Sequence, residues 1–201
     1  MTLSKRIASG LGATLLFLTA CSSQSLDGPT SLNENVEVTE EVTEDTNTVV
    51  WTAENLNDNE RDVLKFLQEQ GITDKAALAT ILGNIKQESK FDTRICEGGR
   101  RTGYEHCHSG GFGLIQWTTQ GRYQGLGRHA KQLGLCPNSL KAQLSWMVNE
   151  REWKKIEYVW KTPGKSIDGY MWAAKKWLGW GVHGARTTYA HQYYNQLERT
   201  T

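Results

Sequence analysis

One carboxylate and one amide stand out in this chain by their positions. Glu88 opens the run Glu88-Ser89-Lys90-Phe91, and a glycine-rich stretch containing Gly113-Leu114-Ile115-Gln116 follows it. A glutamate whose surroundings keep it protonated near neutral pH can act as a general acid. A glycine turn lets the backbone approach a ligand closely, and the amide of Gln116 could hydrogen-bond to that ligand. The pair indicates a site for proton transfer to a bound molecule.

The elements around Glu88 support a partly buried position. Asp74 is a good capping residue, and the chain from Lys75 to Glu88 contains no proline. The apolar residues of this segment recur at helical spacing, and Glu88 falls near the direction of Ile81, one turn beyond Ile85. Partial burial at the edge of this stripe raises the pKa of a carboxyl group. On geometry alone, however, a solvated glutamate near a helix end is the favoured interpretation, because many amphipathic helices carry one.

The remaining pattern is also helical. Proline-free amphipathic segments predict further helices over 57–70, 122–133, 140–161, 168–178 and 186–199. The segment 140–161 carries Trp146, Trp153 and Trp160 at intervals of seven, so the three rings are expected on one face, packed in the core, with ligand stacking as the second interpretation. The only strand expected is part of a small hairpin around Phe112 to Thr118.

Three blocks of this sequence resemble the phage tail-type lysozyme family, which is related to goose-type lysozymes and soluble lytic transglycosylases. The first block is residues 77–91, and the second combines Glu97-Gly98-Gly99 with residues 110–118. The third and weaker block is Trp177-Leu178-Gly179-Trp180 followed by Arg186, Ala190, Tyr193, Tyr194 and Leu197. The resemblance spans about Leu56 to Leu197. It implies a mainly α fold, a single lysozyme-like helical domain with a small β-hairpin or Gly-rich loop near the active site.

The resemblance also implies an activity and a set of site residues. The expected protein is a peptidoglycan-degrading glycosidase that cleaves the β-1,4 bond between N-acetylmuramic acid and N-acetylglucosamine, with Glu88 as general acid. Trp117 would offer a ring on which a sugar could stack. No cofactor and no metal are expected. The residues expected to contact substrate are Ser89, Gly113, Gln116, Trp117 and Thr118.

The sequence leaves open whether the glycosidic bond is cleaved by a hydrolase or by a lytic transglycosylase mechanism. A hydrolase normally needs a second carboxylate, for which Asp92, Glu97 and Glu105 are candidates. Glu97 is the best placed, because it matches the acidic position of the family's Glu-Gly-Gly pattern. A lytic transglycosylase would use Glu88 alone, with a hydroxyl of the substrate as nucleophile. Hydrolysis is slightly favoured, since the Ala-Tyr-Asn-Ala-Gly-like motif common in soluble transglycosylases is not evident.

Two rival functions need no turnover. One is a non-catalytic peptidoglycan-binding envelope lipoprotein, and the other is an envelope lipoprotein that excludes phage or inhibits another enzyme. The presence of Glu88, Ser89 and Gln116 together speaks against both, because a protein that only binds has no need of the acid.

The N-terminus predicts export and a lipid anchor. Lys5-Arg6 precedes an apolar core that is too short to span a bilayer, and Leu18-Thr19-Ala20-Cys21 resembles a bacterial lipoprotein processing site. Residues 1–20 are therefore expected to be a lipoprotein signal peptide and Cys21 the lipidated residue, with an ordinary secretory signal as the alternative. The expected location is the cell envelope, on the periplasmic face, and at the outer membrane in a Gram-negative host.

Charge separates a tether from a domain. Residues 22–50 contain seven acidic residues and no Lys or Arg, which predicts a disordered linker over 21–50. The expected catalytic domain, 51–201, has 21 Lys and Arg against 15 acidic residues. This basic balance suits peptidoglycan or another anionic wall polymer as partner. Export and the lack of a nucleic-acid-binding motif argue against nucleic acid, and a monomer is expected.

The cysteines agree with an oxidising compartment. Cys96 and Cys107 bracket a short loop, and a disulfide between them is the favoured pairing, which makes Cys136 the odd thiol. A metal site would need these two cysteines with His106 or His108. That alternative is disfavoured because the ten-residue gap does not match the close cysteine pairs of ordinary zinc sites.

Overall fold

The structure is a computed structural model that describes residues 50–108 and 110–200. Within this part of the chain, eight helices and four short strands form a mainly helical fold, which confirms the predicted fold class. The helices are α1 (Asp58–Glu69), α2 (Lys75–Ser89), α3 (Gln120–Gln132), α4 (Leu140–Asn149), α5 (Arg151–Lys154), α6 (Glu157–Lys161), α7 (Ile167–Leu178) and α8 (Arg186–Gln196). The predicted signal peptide, the lipidation site Cys21 and the acidic linker before residue 50 lie outside the described residues.

The first two helices begin at the predicted caps. The Asn57 side chain accepts a hydrogen bond from the Glu60 amide, and the Glu60 carboxylate accepts one from the Asn57 amide, both at 2.9 Å. This reciprocal pair is a capping box. The Asp74 side chain accepts from the Ala77 amide at 3.0 Å and so starts α2. Residues 76–85 of α2 are all buried, so this helix forms the centre of the core.

Helix α8 packs directly on α2, and a glycine sets the distance between them. A Cβ atom built on Gly83 would lie 2.4 Å from the backbone nitrogen of Ala190, which is far inside van der Waals contact. Gly83 therefore lets the backbones of the two helices touch where any other residue would hold them apart. Further along this contact, the C-terminal end of α2 meets the first residue of α8, and there Glu88 meets Arg186.

The prediction of a single long helix over 140–161 is wrong. The chain is extended at Glu150 (φ −71°, ψ 153°), and three shorter helices, α4 to α6, replace the predicted one. Trp153 and Trp160 are buried and pack against each other at 5.9 Å between ring centroids, which confirms core packing for these two. Trp146 lies elsewhere, with its indole N–H donating to the Arg122 carbonyl on α3, so the three rings do not share one face.

The small hairpin lies earlier in the chain than predicted. Strands β2 (Ile95–Cys96) and β3 (Arg100–Arg101) pair antiparallel, whereas residues 113–116 form a turn. Phe112 makes only a single bridge to Cys96. The prediction of a hairpin around Phe112 to Thr118 is therefore wrong in position. The hairpin precedes this segment in the chain, and the segment only contacts its first strand, β2.

A second small sheet joins the two ends of the described chain. Strand β1 (Val50–Thr52) pairs antiparallel with β4 (Glu198–Thr200), with Trp51 opposite Arg199. The last helix therefore ends at Gln196 and not at Arg199 as predicted. Val50, which the sequence placed in the linker, is the first residue of β1.

The disulfide prediction is confirmed for one pair. Cys96 and Cys107 are bonded, with their Cα atoms 5.8 Å apart. The expectation that Cys136 is the odd thiol is wrong, because Cys136 is disulfide-bonded as well. Among the helices of the described residues, none has the length and apolar character needed to cross a membrane.

The contact at Gly83 yields a test of the packing. We expect Gly83→Ala to lower the free energy of unfolding by about 1–3 kcal/mol, because the added methyl group forces α8 away from α2. Gly121→Ala is the matched control, since Gly121 also lies in a helix but has open space around the position of a Cβ atom. The control is expected to gain up to about 1 kcal/mol from helix propensity. Urea denaturation of both variants measures the difference, and equal stabilities would contradict the close α2–α8 contact.

Candidate active site

Glu88 lies in the last turn of α2 and faces the first residue of α8. Its side chain is 15% exposed, and its Oε1 atom accepts a hydrogen bond from Nη2 of Arg186, whose side chain is 5% exposed. The partly buried position expected for this carboxylate is therefore what the structure shows. The buried ion pair is a feature that helix periodicity alone does not reveal.

A short connection before α8 fixes Arg186 in place. The Gln87 side chain accepts a hydrogen bond from the Ala185 amide at 2.8 Å. Gly184 packs against this side chain with a positive φ of 62°, a conformation that favours glycine. Nη1 of Arg186 donates to the His183 carbonyl at 3.1 Å. Consecutive residues of α2, Gln87 and Glu88, thus hold the start of α8 and its arginine.

An aromatic ring covers the other side of the arginine. The guanidinium carbon of Arg186 lies 4.6 Å from the ring centroid of Trp180, a cation–π contact. Trp180 is only partly buried, so part of its ring surface faces solvent beside the ion pair. Trp180 belongs to the block Trp177-Leu178-Gly179-Trp180, but no pattern in the sequence places it next to Glu88.

The electrostatics of the pair favour a protonatable carboxyl group. Burial raises the pKa of Glu88, while the positive charges of Arg186 and the more distant Arg122 oppose this rise without cancelling it. Burial also lowers the pKa of Arg186, although Glu88 opposes that change. Arginine stays charged at any physiological pH, so the titrating member of the pair is Glu88. A carboxyl group with a raised pKa is suited to donating a proton near neutral pH.

Ser89 joins the end of α2 to the Gly-rich turn, residues 110–118. Its hydroxyl donates to the Leu114 carbonyl at 2.7 Å and accepts from the Phe91 amide at 3.1 Å. Ser89 is buried, so its hydroxyl serves the backbone and is not presented to a substrate. This agrees with a local backbone role and not with the predicted substrate contact.

The Gln116 amide is used within the same turn. Gln116 has a positive φ of 52°, and its Nε2 atom donates to the carbonyls of Ile95 at 3.1 Å and Gly113 at 3.0 Å. These bonds fasten the turn to strand β2. Both protons of the amide nitrogen are thus committed to the protein backbone, which leaves the carbonyl oxygen of the side chain for a ligand.

Gly113 makes room for a protein side chain. A Cβ atom built on Gly113 would lie 2.6 Å from Oε1 of Gln143. Gln143 is fully buried in α4, accepts from the Leu114 amide at 2.8 Å, and donates to the carbonyls of Thr93 and Pro137. The expected close approach at Gly113 therefore exists, but its partner is Gln143. A glutamine between Ala142 and Leu144 on a buried face was the signal that could have revealed it.

Trp117 is held by a buried carboxylate. Glu150 is 1% exposed and accepts hydrogen bonds from the indoles of Trp117 at 3.1 Å and Trp177 at 3.0 Å. Arg122 donates to both of its oxygens, at 2.8 and 2.6 Å. Four donors thus compensate the buried charge, as a buried carboxylate requires. We call these four residues the Glu150 cluster.

Trp117 therefore offers no ring face to a sugar. Its side chain is fully buried, so the prediction of an exposed stacking surface is wrong. Its neighbour Thr118 is exposed, and the Thr118 hydroxyl donates to the Gln116 carbonyl at 2.9 Å. Thr118 also borders a cavity of about 530 Å³ beside the turn, whose lining does not include Glu88.

The three candidate second carboxylates occupy different surroundings. Glu97 is exposed at the start of a short 3₁₀ turn, and its Oε2 atom accepts from the Gly111 amide at 3.2 Å, so it belongs to the Gly-rich loop. Asp92 is engaged by the Nε atom of Arg101 at 2.8 Å. Glu105 is exposed in a second 3₁₀ turn. Glu97 and Glu88 thus lie on segments that Ser89 and Gln116 tie together. No group of His, Cys, Asp and Glu side chains in the described residues is arranged to hold a metal ion.

The ion pair predicts the response of Glu88 to its partner. Replacing Arg186 by glutamine removes the positive charge that opposes the effect of burial, so we expect the pKa of Glu88 to rise further. Titration of the Glu88 carboxyl carbon by NMR measures this change. Arg94→Gln, at an exposed position not involved with Glu88, should leave the pKa unchanged. A pKa that falls or stays constant in Arg186→Gln would contradict the assigned balance of burial and charge.

The Glu150 cluster predicts that removing the charge of Glu150 lowers the stability of the fold strongly. Glu150→Gln leaves Arg122 buried without its carboxylate, and we expect a loss of about 3–5 kcal/mol in the free energy of unfolding. Glu152→Gln is the matched control, because Glu152 pairs with Arg151, whose side chain is 78% exposed. The control is expected to cost less than about 1 kcal/mol. Chemical denaturation compares the two, and similar losses would show that the cluster is not the anchor described here.

Comparison with known proteins agrees with this arrangement. The family model described as phage tail lysozyme matches residues 58–197 of the chain. That range contains helices α1 to α8 completely, together with the Glu88–Arg186 pair and the Gly-rich turn. A search of curated protein sequences gives no significant match. Because the matched range covers well over half of the chain, the protein belongs to the phage tail lysozyme family.

Proposed function

We propose that the protein is a glycosidase that cleaves the β-1,4 bond between N-acetylmuramic acid and N-acetylglucosamine in peptidoglycan. The family supports a lysozyme-like, cell-wall-degrading activity. The observation that carries the finer proposal is the Glu88 carboxyl group, which lies at the end of α2, is partly buried and has a raised pKa. These are the properties that a general acid for glycosidic cleavage needs.

The ion pair gives the two oxygens of Glu88 different tasks. Arg186 donates to Oε1, so Oε2 is the oxygen that can carry the proton and deliver it to the glycosidic oxygen. As the bond to the anomeric carbon breaks, the proton moves to the leaving group and Glu88 becomes a carboxylate. The guanidinium of Arg186 then stabilises the new negative charge in a poorly solvated place. Arg186 thus orients the acid before transfer and stabilises its conjugate base afterwards.

Trp180 replaces Trp117 as the proposed sugar platform. Its ring is partly exposed and stacks on Arg186, so a pyranose ring on its free surface would lie next to the acid. Thr118 and the side-chain oxygen of Gln116 are the polar groups that the turn still offers to a substrate. Ser89, Gly113 and Trp117 act by holding the turn in shape.

Two outcomes of bond cleavage fit the proposed acid. In a hydrolase, Glu97 is the candidate to activate water, because it is exposed on the Gly-rich loop. In a transglycosylase, the Glu88 carboxylate takes a second proton, from a hydroxyl of the substrate, as the oxygen of that hydroxyl bonds to the anomeric carbon. Both mechanisms use Glu88 first.

We further propose that this activity is exported to the cell envelope. The support is the lipoprotein-like run Leu18-Thr19-Ala20-Cys21 together with the disulfide between Cys96 and Cys107, a bond typical of oxidising compartments. Peptidoglycan is the proposed partner, and the protein is proposed to act as a monomer.

Loss of the acid proton tests the function. We expect Glu88→Gln to reduce the release of soluble fragments from purified peptidoglycan by about 10²–10⁴-fold, because an amide cannot donate the proton. Binding to sedimented peptidoglycan should stay within about twofold of the wild type, since the amide preserves shape and hydrogen bonding to Arg186. Glu69→Gln, at an exposed site on α1, is the control and should retain full activity. Undiminished release by Glu88→Gln would refute the catalytic assignment, and binding without release by the wild type would favour a wall-binding lipoprotein.

A further inference from the structure

Two cavities adjoin along one side of helix α3. The first has a volume of about 530 Å³ and starts at the Gly-rich turn, where Gly110 and Thr118 line it. The second has a volume of about 420 Å³ and ends near Lys131 and Pro137. Both are lined by Tyr104, Glu105 and Gln124, so they form one depression, which we call the α3 groove. The groove leads from the Gly-rich turn toward the C-terminal end of α3.

One face of α3 forms the floor of this groove. Gln120, Gln124, Arg128 and Lys131 follow each other at helical spacing and therefore lie on one side of the helix. All four side chains are exposed. The two amides lie at the end near the turn, and the two cations lie at the far end. The floor of the groove thus offers neutral amides near the Gly-rich turn and positive charges at its far end.

The wall facing α3 is formed by Tyr104, which is held against Tyr123 of α3, and a carboxylate lies next to it. The rings of Tyr104 and Tyr123 stack at 4.3 Å, and each hydroxyl donates to the backbone carbonyl of the other residue. Gly127 allows the Tyr104 hydroxyl to touch α3, since a Cβ atom there would lie 2.4 Å from that oxygen. Glu105, next to this wall, brings a negative charge into both cavities.

We propose that the α3 groove binds the peptide stem of peptidoglycan, an inference that rests on the proposed function and names a further part of its substrate. A stem peptide joins backbone amides to carboxylate groups and, where it contains a diamino acid, an amine. Gln120 and Gln124 can pair with the backbone amides, Arg128 and Lys131 with the carboxylates, and Glu105 with the amine. The groove begins at Thr118, which the proposed function assigns to substrate contact, and the stem branches from the muramic acid that is cut.

The mixture of charges separates this ligand from other wall components. Glycan strands without stems carry a lactyl carboxylate on each muramic acid but no cation, so they would leave Glu105 without a partner. A polyphosphate wall polymer would meet the cations Arg128 and Lys131 but would be repelled by Glu105. A zwitterionic peptide matches both signs at once, so the groove favours the stem.

Binding without turnover provides the test. Two soluble ligands are titrated calorimetrically into the full chain carrying Glu88→Gln. One is a muramic acid-containing disaccharide bearing a tetrapeptide stem with a diamino acid, and the other is the same disaccharide with its lactyl carboxyl group capped as a simple amide and no stem. We expect the stem to tighten binding by about tenfold or more, a change readily measured as a difference in Kd. Adding Arg128→Gln and Lys131→Gln should abolish this gain and leave the affinity for the bare disaccharide unchanged.

The matched control removes the same charge elsewhere. Lys155→Gln with Lys165→Gln changes two exposed lysines outside the groove and should keep the full gain from the stem. Equal affinities for the two ligands, or a gain that survives the loss of Arg128 and Lys131, would overturn the proposal. So would a groove-dependent affinity for poly(glycerol phosphate) without any gain from the stem. Because cleavage is not measured, a protein that fails to cut peptidoglycan can still confirm the groove, and the two failures are distinguishable.

Discussion

The contact between α2 and α8 is the constraint on which the candidate active site depends. Glu88 ends one helix and Arg186 begins the other, and the two meet only because Gly83 lets the helix backbones touch at Ala190. A wider spacing would separate the carboxylate from its cation and expose both to water. The catalytic proposal thus rests on a glycine that makes no contact with substrate. In a close-packed interior, such a spacing is set by single atoms.

Glu150 and Glu88 are both partly or fully buried, but they differ in how far hydrogen bonds compensate their charge. Glu150 accepts four hydrogen bonds from Trp117, Trp177 and Arg122, which compensate its charge and make it a structural anchor for the Gly-rich turn, α3 and α7. Glu88 has one charged partner on one oxygen, and burial still raises its pKa. The first arrangement fixes a charge permanently, whereas the second leaves a proton that can be transferred. The difference in hydrogen bonding separates the structural glutamate from the one proposed as the acid.

Local patterns predicted the helices well, because capping residues and apolar spacing act within a few residues of each other. Asn57 and Asp74 marked helix starts correctly. The position of Glu88 relative to Ile81 and Ile85 allowed partial burial but on geometry alone favoured a solvated side chain. The break at Glu150 was missed because the partners of its carboxylate, Trp117, Trp177 and Arg122, lie too far away in sequence for a local pattern to reveal. The same reason explains Trp117: its type suggested sugar stacking, but its indole donates to Glu150 in the core. Pairing of β1 with β4 joins residues about 150 positions apart and was equally invisible.

The chemical identity of the new chain ends is the measurement that tests the central claim most directly. Mass spectrometry of fragments released from purified peptidoglycan by the wild-type protein distinguishes cleavage of the glycan from cleavage of the peptide. Our account predicts new ends at muramic acid, either reducing or 1,6-anhydro, because Glu88 acts on the glycosidic oxygen in both mechanisms. Reducing ends would assign a hydrolase and direct attention to Glu97, whereas anhydro ends would assign a transglycosylase. Fragments cut only in their peptides, with intact glycan strands, would contradict the account.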